Sequence, residues 1–215
     1  MIKLVIFDFD GTLADTQELI VRTNQEAMRR LHYPVASEET IIGTIGLPLE
    51  AGILTMFPDL PREVLPEWTG VYRQVFDELR TRIVPAVFPH VKETLAVLQE
   101  KGCRLTVASS RHSGSLNAFL REMGLAPYFC YVLGADNVTQ AKPHPEPVLK
   151  TLRELGFSPE EALVVGDMPV DIRMGLGAGA RTCGVTFGNS GREALEAAGA
   201  HYILDDFSGL SDIFS

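Results

Sequence analysis

Apolar and polar positions follow two rhythms along this 215-residue chain. Leu4-Val5-Ile6-Phe7 is a continuous apolar run rich in β-branched residues, which predicts a fully buried strand. Beyond Asp15 the spacing turns helical. Leu19, Ile20, Thr23, Ala27 and Leu31 share one face, and Ser37 before Glu38 and Glu39 marks a helix start. A break over residues 43–48 leads into a short apolar helix over 49–57. Val64, Leu65, Trp68, Val71, Tyr72, Val75, Phe76 and Leu79 then form a stripe for one or two helices. From Val84 strands and helices alternate. Helices are predicted over 89–101, 113–123 and 145–155, each closed by a glycine (Gly102, Gly124, Gly156). Strands are predicted over 104–108, 131–133, 163–165, 182–185 and 202–204. Such alternation builds a mostly parallel, doubly wound α/β sheet. Residues 1–14 and 84–215 are its expected core, and residues 15–83 an inserted helical block.

Composition narrows the function classes. Apolar residues make up 46% and charged residues 22%, ordinary for a globular chain with a sizeable core. The net charge is 19 − 28 = −9 with no basic stripe, so no nucleic acid is expected as a partner. No apolar run reaches membrane-spanning length, and a core strand starting at Leu4 leaves no room for a signal peptide, so no membrane and a cytoplasmic location are expected. Cys103, Cys130 and Cys183 read as reduced thiols, and the five scattered histidines give no zinc spacing.

The chemistry gathers at strand ends, where open α/β sheets bind ligands. The first strand runs into Asp8-Phe9-Asp10-Gly11-Thr12. The two carboxylates can face one crevice while Phe9 packs the other way, Gly11 permits a tight turn, and the Thr12 hydroxyl can help close it. Two acids so close in a dry pocket need a cation nearby. Alone, this string is compatible with a plain turn. The next strand ends in Ser109-Ser110-Arg111, a hydroxyl and backbone N–H groups able to hold a phosphate oxygen. Lys142 stands directly before a rigid Pro143-His144-Pro145 segment, and the strand over 163–165 leads into Gly166-Asp167 with Asp171 in the first turn of the next helix. Gly175, Gly177 and Gly179 lack dinucleotide-loop spacing and are read as packing and helix-end glycines.

The string Phe7-Asp8-Phe9-Asp10-Gly11-Thr12-Leu13, followed in order by Ser109, Lys142-Pro143 and Gly166-Asp167-Met168-Pro169-Val170-Asp171, resembles the four signatures of the haloacid dehalogenase (HAD) superfamily. The resemblance covers essentially the whole chain. It implies a Rossmann-like core with an α-helical cap domain, and a Mg²⁺-dependent phosphatase working on a small phosphorylated metabolite through an aspartyl-phosphate. Asp8 is the implied nucleophile and Asp10 the acid and base. Ser109 and Lys142 are implied to act on the phosphoryl group, and Ser110 and Arg111 are further candidate substrate contacts. The implied metal set is Asp8, Asp10 through its backbone carbonyl, Asp167 and Asp171, the last directly or through a water.

Asp10 disfavours a true dehalogenase, which lacks this second acid. Ile20 and the 46–49 loop disfavour a β-phosphoglucomutase, which carries a cap histidine and arginine. The 45–50 loop and Gly184-Val185-Thr186-Phe187-Gly188 resemble phosphoglycolate phosphatases and PpaX-type pyrophosphatases. Arg111 and His112 are candidates to meet a substrate carboxylate or second phosphate, with a solvated loop as the alternative. A receiver-like phosphorylatable module stays as the non-enzymatic reading, against which Asp10 argues because it promotes turnover. Oligomeric state is not legible.

Overall fold

The computed structural model describes residues 1–214. Six parallel strands form one sheet in the order β5-β4-β1-β6-β7-β8. They are β1 (Leu4–Phe7), β4 (Arg104–Ala108), β5 (Tyr131–Leu133), β6 (Ala162–Gly166), β7 (Arg181–Val185) and β8 (Tyr202–Leu204). β1 lies at the centre, with Phe7 level with Val107 on one side and Val165 on the other. Asp8, Ser109 and the β6 terminus therefore come out at the same edge. The chain steps to β4 on one side of β1 and β6 on the other, which makes this edge the topological switch point.

Every side chain of β1 is buried, and side-chain alternation divides them between two cores. Val5 and Phe7 pack with Leu95, Leu98, Leu116 and Phe119, from α5 (Val91–Glu100) and α6 (Ser113–Glu122). Leu4 and Ile6 pack on the opposite face with Val148, Leu152 and Met174, from α7 (Glu146–Leu155) and α8 (Pro169–Gly177). Phe9 joins the first of these cores, which turns the carboxylates on either side of it the other way.

Between β1 and β4 the chain makes α1 (Gln17–Arg30), α2 (Glu38–Ile42), α3 (Leu49–Met56) and α4 (Leu65–Leu79). Ser37 caps α2 by accepting from the Thr40 N–H at 3.1 Å. These helices share their own apolar cluster of Val21, Met28, Ile41, Ile53, Leu65 and Trp68. The chain enters and leaves this helical segment through a ribbon the sequence did not announce. β2 (Ala14–Asp15) pairs antiparallel with β3 (Ala86–Val87). Also unannounced are α9 (Arg192–Ala197) and 3₁₀ turns over Phe207–Phe214. Pro159–Glu161 makes a single 3₁₀ turn before β6. Cys103 and Cys183 are buried, Cys130 is exposed, and all three thiols are free. Among the described residues no helix is long and apolar enough to cross a membrane.

Candidate active site

Three buried carboxylates meet at the sheet's switch point. Asp8 continues β1, Asp167 continues β6, and Asp171 rises from the first turn of α8. Oxygens of all three lie within 4.8 Å of one another. Lys142 reaches in from the loop before α7 and donates to Asp8 Oδ1 at 2.5 Å and to Asp171 Oδ1 at 2.7 Å. Its ammonium is buried, which opposes its charge, but Asp171 and Asp8 outweigh burial and hold it above the ordinary lysine range.

Each acid is oriented differently. Asp171 Oδ2 accepts from the Met168 N–H at 3.1 Å, so both of its oxygens are engaged. Asp167 accepts from the Thr12 hydroxyl at 2.9 Å, and from the Asn189 backbone and side-chain N–H groups at 2.7 and 2.8 Å. Thr12 thus serves Asp167 rather than closing its own turn, a correction to the expectation from sequence. The cause is the approach of two loops. Gly11 has φ +86°, and a Cβ there would lie 2.2 Å from Asp167 Oδ2. A Cβ on Gly188 would lie 2.3 Å from the Gly11 carbonyl oxygen. Only glycines let these backbones pack around Asp167.

Burial pushes the Asp8 carboxyl well above the usual carboxylate range; Lys142 pulls it back, and Asp171, Asp167 and Asp10 add to the rise. Burial, reinforced by Asp171, pushes Asp167 up to about 7 against the hydrogen bonds of Asn189 and Thr12. Asp8 Oδ2 is buried with no hydrogen-bond partner. One ammonium cannot balance three buried carboxylates, and an orphaned carboxylate oxygen among them fits a hard, oxygen-seeking divalent cation. The residues present therefore suit Mg²⁺.

Asp10 stands apart from this cluster. Its Oδ1 accepts from the Thr16 hydroxyl at 2.7 Å and from Arg111 Nη2, and its Oδ2 accepts from Arg111 Nε at 3.2 Å. The carboxylate is thus turned away from the three clustered acids, which leaves only its backbone carbonyl for the role expected of it. Arg111 is not a solvated loop residue: its side chain is 10% exposed. Burial works against its charge, yet Asp10 beside it holds the guanidinium above its ordinary range. The Ser109 hydroxyl accepts from the Arg111 N–H at 3.1 Å, and Ser110 donates to the Gly46 carbonyl at 2.6 Å, tying the end of β4 to the helical segment. His112 is exposed.

A cavity of about 770 Å³ opens over Asp8, Asp10, Ser109 and Arg111 and is roofed by Ile45 and Tyr72 of the helical segment. The sequence reading missed Asn189 and Thr16. A Gly-Asn pair after a strand was a faint signal for the first. Thr16 carries none beyond its place one turn after Asp10.

Comparison with known proteins decides the family. The description "Haloacid dehalogenase-like hydrolase" matches residues 5–185. The chain belongs to this family. Among curated HAD relatives, the Dickeya dadantii protein named Probable phosphatase IndB is 40% identical over 97% of this chain and 91% of its own length. Pyrophosphatase PpaX of Bacillus pumilus is 34% identical, over 97% of this chain and 94% of its own. A phosphoglycolate phosphatase of Salmonella typhimurium is 32% identical, over 97% and 91% respectively. Solved HAD structures superpose closely. CbbY from Rhodobacter sphaeroides in complex with phosphate gives a TM-score of 0.82 at 27% identity, over 98% of this chain and 96% of that one. A predicted phosphoglycolate phosphatase from Haemophilus somnus gives 0.90 at 25% identity, over 100% and 98%. The chain is therefore a HAD-type enzyme whose curated relatives are named phosphatases.

Proposed function

We propose that this HAD enzyme hydrolyses small phosphomonoesters through an aspartyl-phosphate on Asp8, with Mg²⁺ as cofactor, in the manner of a phosphoglycolate phosphatase. The observation that carries the reading is the Asp8 carboxylate. It lies at the end of the central strand, borders the cavity, and is held on one oxygen by Lys142 while the other has no partner. Lys142 thus orients the carboxylate, and the unpartnered oxygen is left for the cation or for phosphorus.

Asp8 attacks phosphorus, forming an O–P bond as the bond to the leaving oxygen breaks. Asp10 gives that oxygen a proton. A water then attacks the aspartyl-phosphate, Asp10 takes back a proton, and phosphate leaves with Asp8 regenerated. Ser109, Lys142 and backbone N–H groups at the strand ends match charge on the phosphoryl oxygens. The carboxylates of Asp8 and Asp167 and the Asp10 backbone carbonyl would hold Mg²⁺, with Asp171 supporting. When bound, the ion would reduce repulsion between Asp8 and a phosphate dianion. The helical segment 15–83 acts as a cap over the cavity, excluding water.

Pyrophosphate is the second reading, favoured by the 34% identity to PpaX. The test measures turnover of p-nitrophenyl phosphate, phosphoglycolate and pyrophosphate with Mg²⁺, beside Asp8→Asn. The wild type is expected to turn over many times and Asp8→Asn not at all while remaining folded. Substantial activity in purified Asp8→Asn refutes the covalent route.

A further inference from the structure

The ion pair between Arg111 and Asp10 runs against the reaction just described. Asp10 has to present an oxygen to the leaving group, yet both of its oxygens are held. Thr16 and Arg111 Nη2 occupy Oδ1, and Arg111 Nε occupies Oδ2. The guanidinium is itself fixed by its surroundings. It lies over the rings of Phe119 (4.9 Å), Phe76 (5.2 Å) and Phe9 (5.9 Å), and Nη1 donates to Ser115 Oγ at 3.3 Å. Phe9 follows the central strand and Phe119 lies on α6, whereas Phe76 lies on α4, so the pair sits at the seam between sheet and helical segment.

Breaking a buried guanidinium–carboxylate pair without replacing a partner leaves an uncompensated charge, which is strongly unfavourable. Whatever frees Asp10 must therefore offer Arg111 another anion. Arg111 borders the same cavity as Asp8 and Ser109. Three contacts engage three of its five N–H donors, so one N–H on each terminal nitrogen stays available to an incoming carboxylate or phosphate.

We propose that Arg111 is a substrate-sensing positioning residue: a second anionic group on the substrate takes over its fork and thereby releases Asp10 toward the leaving oxygen. The inference rests on the phosphatase reading above and narrows its substrate class to phosphoryl compounds with a second anion close to the transferred group. A monoester without a second anionic group offers no such exchange, so Asp10 stays paired with Arg111 when that ester binds. Selectivity then appears in the rate of the phosphorylation step as well as in binding, because the correct substrate assembles the acid it needs.

The test is the single-turnover rate of Asp8 phosphorylation, with Mg²⁺, for phosphoglycolate and for its uncharged amide, which has the same shape. The phosphate ester of hydroxymethylphosphonate and that of its uncharged dimethyl ester, both with an alcohol leaving group, are run as a separate pair, which distinguishes a second phosphate-like group from a carboxylate. In the wild type the doubly anionic member of at least one pair is expected to react roughly tenfold faster or more, the scale of a hydrogen bond to a charged group. In Arg111→Gln the anionic substrate slows while its neutral partner speeds up, because Asp10 is no longer held, and the ratio collapses toward one. Arg111→Lys keeps the charge without the fork and retains an intermediate ratio. Equal wild-type rates within both pairs overturn the proposal without needing any variant. So does an Arg111→Gln protein in which both members slow by the same factor, the mark of a merely structural arginine. Failure of the phosphatase reading looks different: no ester phosphorylates Asp8 even in the wild type.

Discussion

Crowding three buried carboxylates around one ammonium makes the metal-free fold sensitive to pH in a defined direction. Asp167 is pushed up to about 7 in the folded protein, whereas its ordinary value is 3.8. Between about pH 4 and about pH 7 the folded state therefore keeps a proton that the unfolded chain has lost. Stability of the metal-free protein should fall as pH rises through that window, being greatest below it. At about 1.4 kcal/mol per pH interval of one, Asp167 alone accounts for at most on the order of 4 kcal/mol. Asp8, also raised by burial, acts in the same direction. Mg²⁺, held by the folded carboxylates as proposed, would oppose the loss, adding about 2.7 kcal/mol at a hundredfold excess over its Kd. For a chain of this size that is roughly 5–10 °C in Tm. The assay is urea unfolding followed by circular dichroism at a series of pH values, in EDTA and in saturating Mg²⁺. The metal-free midpoint should drop as pH rises, and Mg²⁺ should flatten the decline. A metal-free midpoint that climbs through the window, or one that Mg²⁺ leaves unmoved above it, would refute this account of the acid cluster.

Asn189→Ala removes one of the donors that aim Asp167, and should raise the Mg²⁺ concentration for half-maximal activity about tenfold or more; an unchanged metal titration would show that Asn189 does not orient the site. Asp10→Asn should slow the phosphorylation burst with phosphoglycolate more than with p-nitrophenyl phosphate, whose leaving group needs no proton; equal losses would count against Asp10 as the acid. Trp68, buried among Tyr33 and Phe57 with an unpartnered indole N–H, should tolerate Trp68→Phe at a cost below about 1.5 kcal/mol. Trp68→Ala should lose roughly 3–5 kcal/mol in urea unfolding, and a mild loss there would mean the cluster can collapse around the gap.

The elements that carry the acids were legible because they are the least ambiguous in the chain. β1 and β6 are short continuous apolar runs that lead within a residue or two into an acid, the look of strands buried on both faces, and β4 beside β1 is buried from Leu105 on. Lys142 was legible only because its Lys-Pro-His-Pro-Glu setting resembles a signature of the family, since nothing local says that its ammonium will reach Asp8. What stayed hidden was decided by closure between distant segments. Asn189 meets Asp167 because a loop after β7 lies against the Gly11 turn, and Arg111 meets Asp10 across 101 residues of sequence. β2 and β3 have only two residues each, too few to show alternation. α9 buries a single side chain, Leu195, so it carries no apolar stripe to announce it.

The two-residue ribbon has a consequence beyond geometry. Because Ala14 and Asp15 lie directly beside Val87 and Ala86, the departing and returning backbones occupy neighbouring positions at the rim of the sheet. For the six-stranded sheet, the excursion between them is topologically equivalent to a tight hairpin. Insertion, deletion or exchange within it leaves the order of the strands and their register untouched. Over generations such a layout lets one stretch of gene diverge in what it admits to the cavity while another conserves the chemistry, so novelty in selectivity does not require reinventing the acids below.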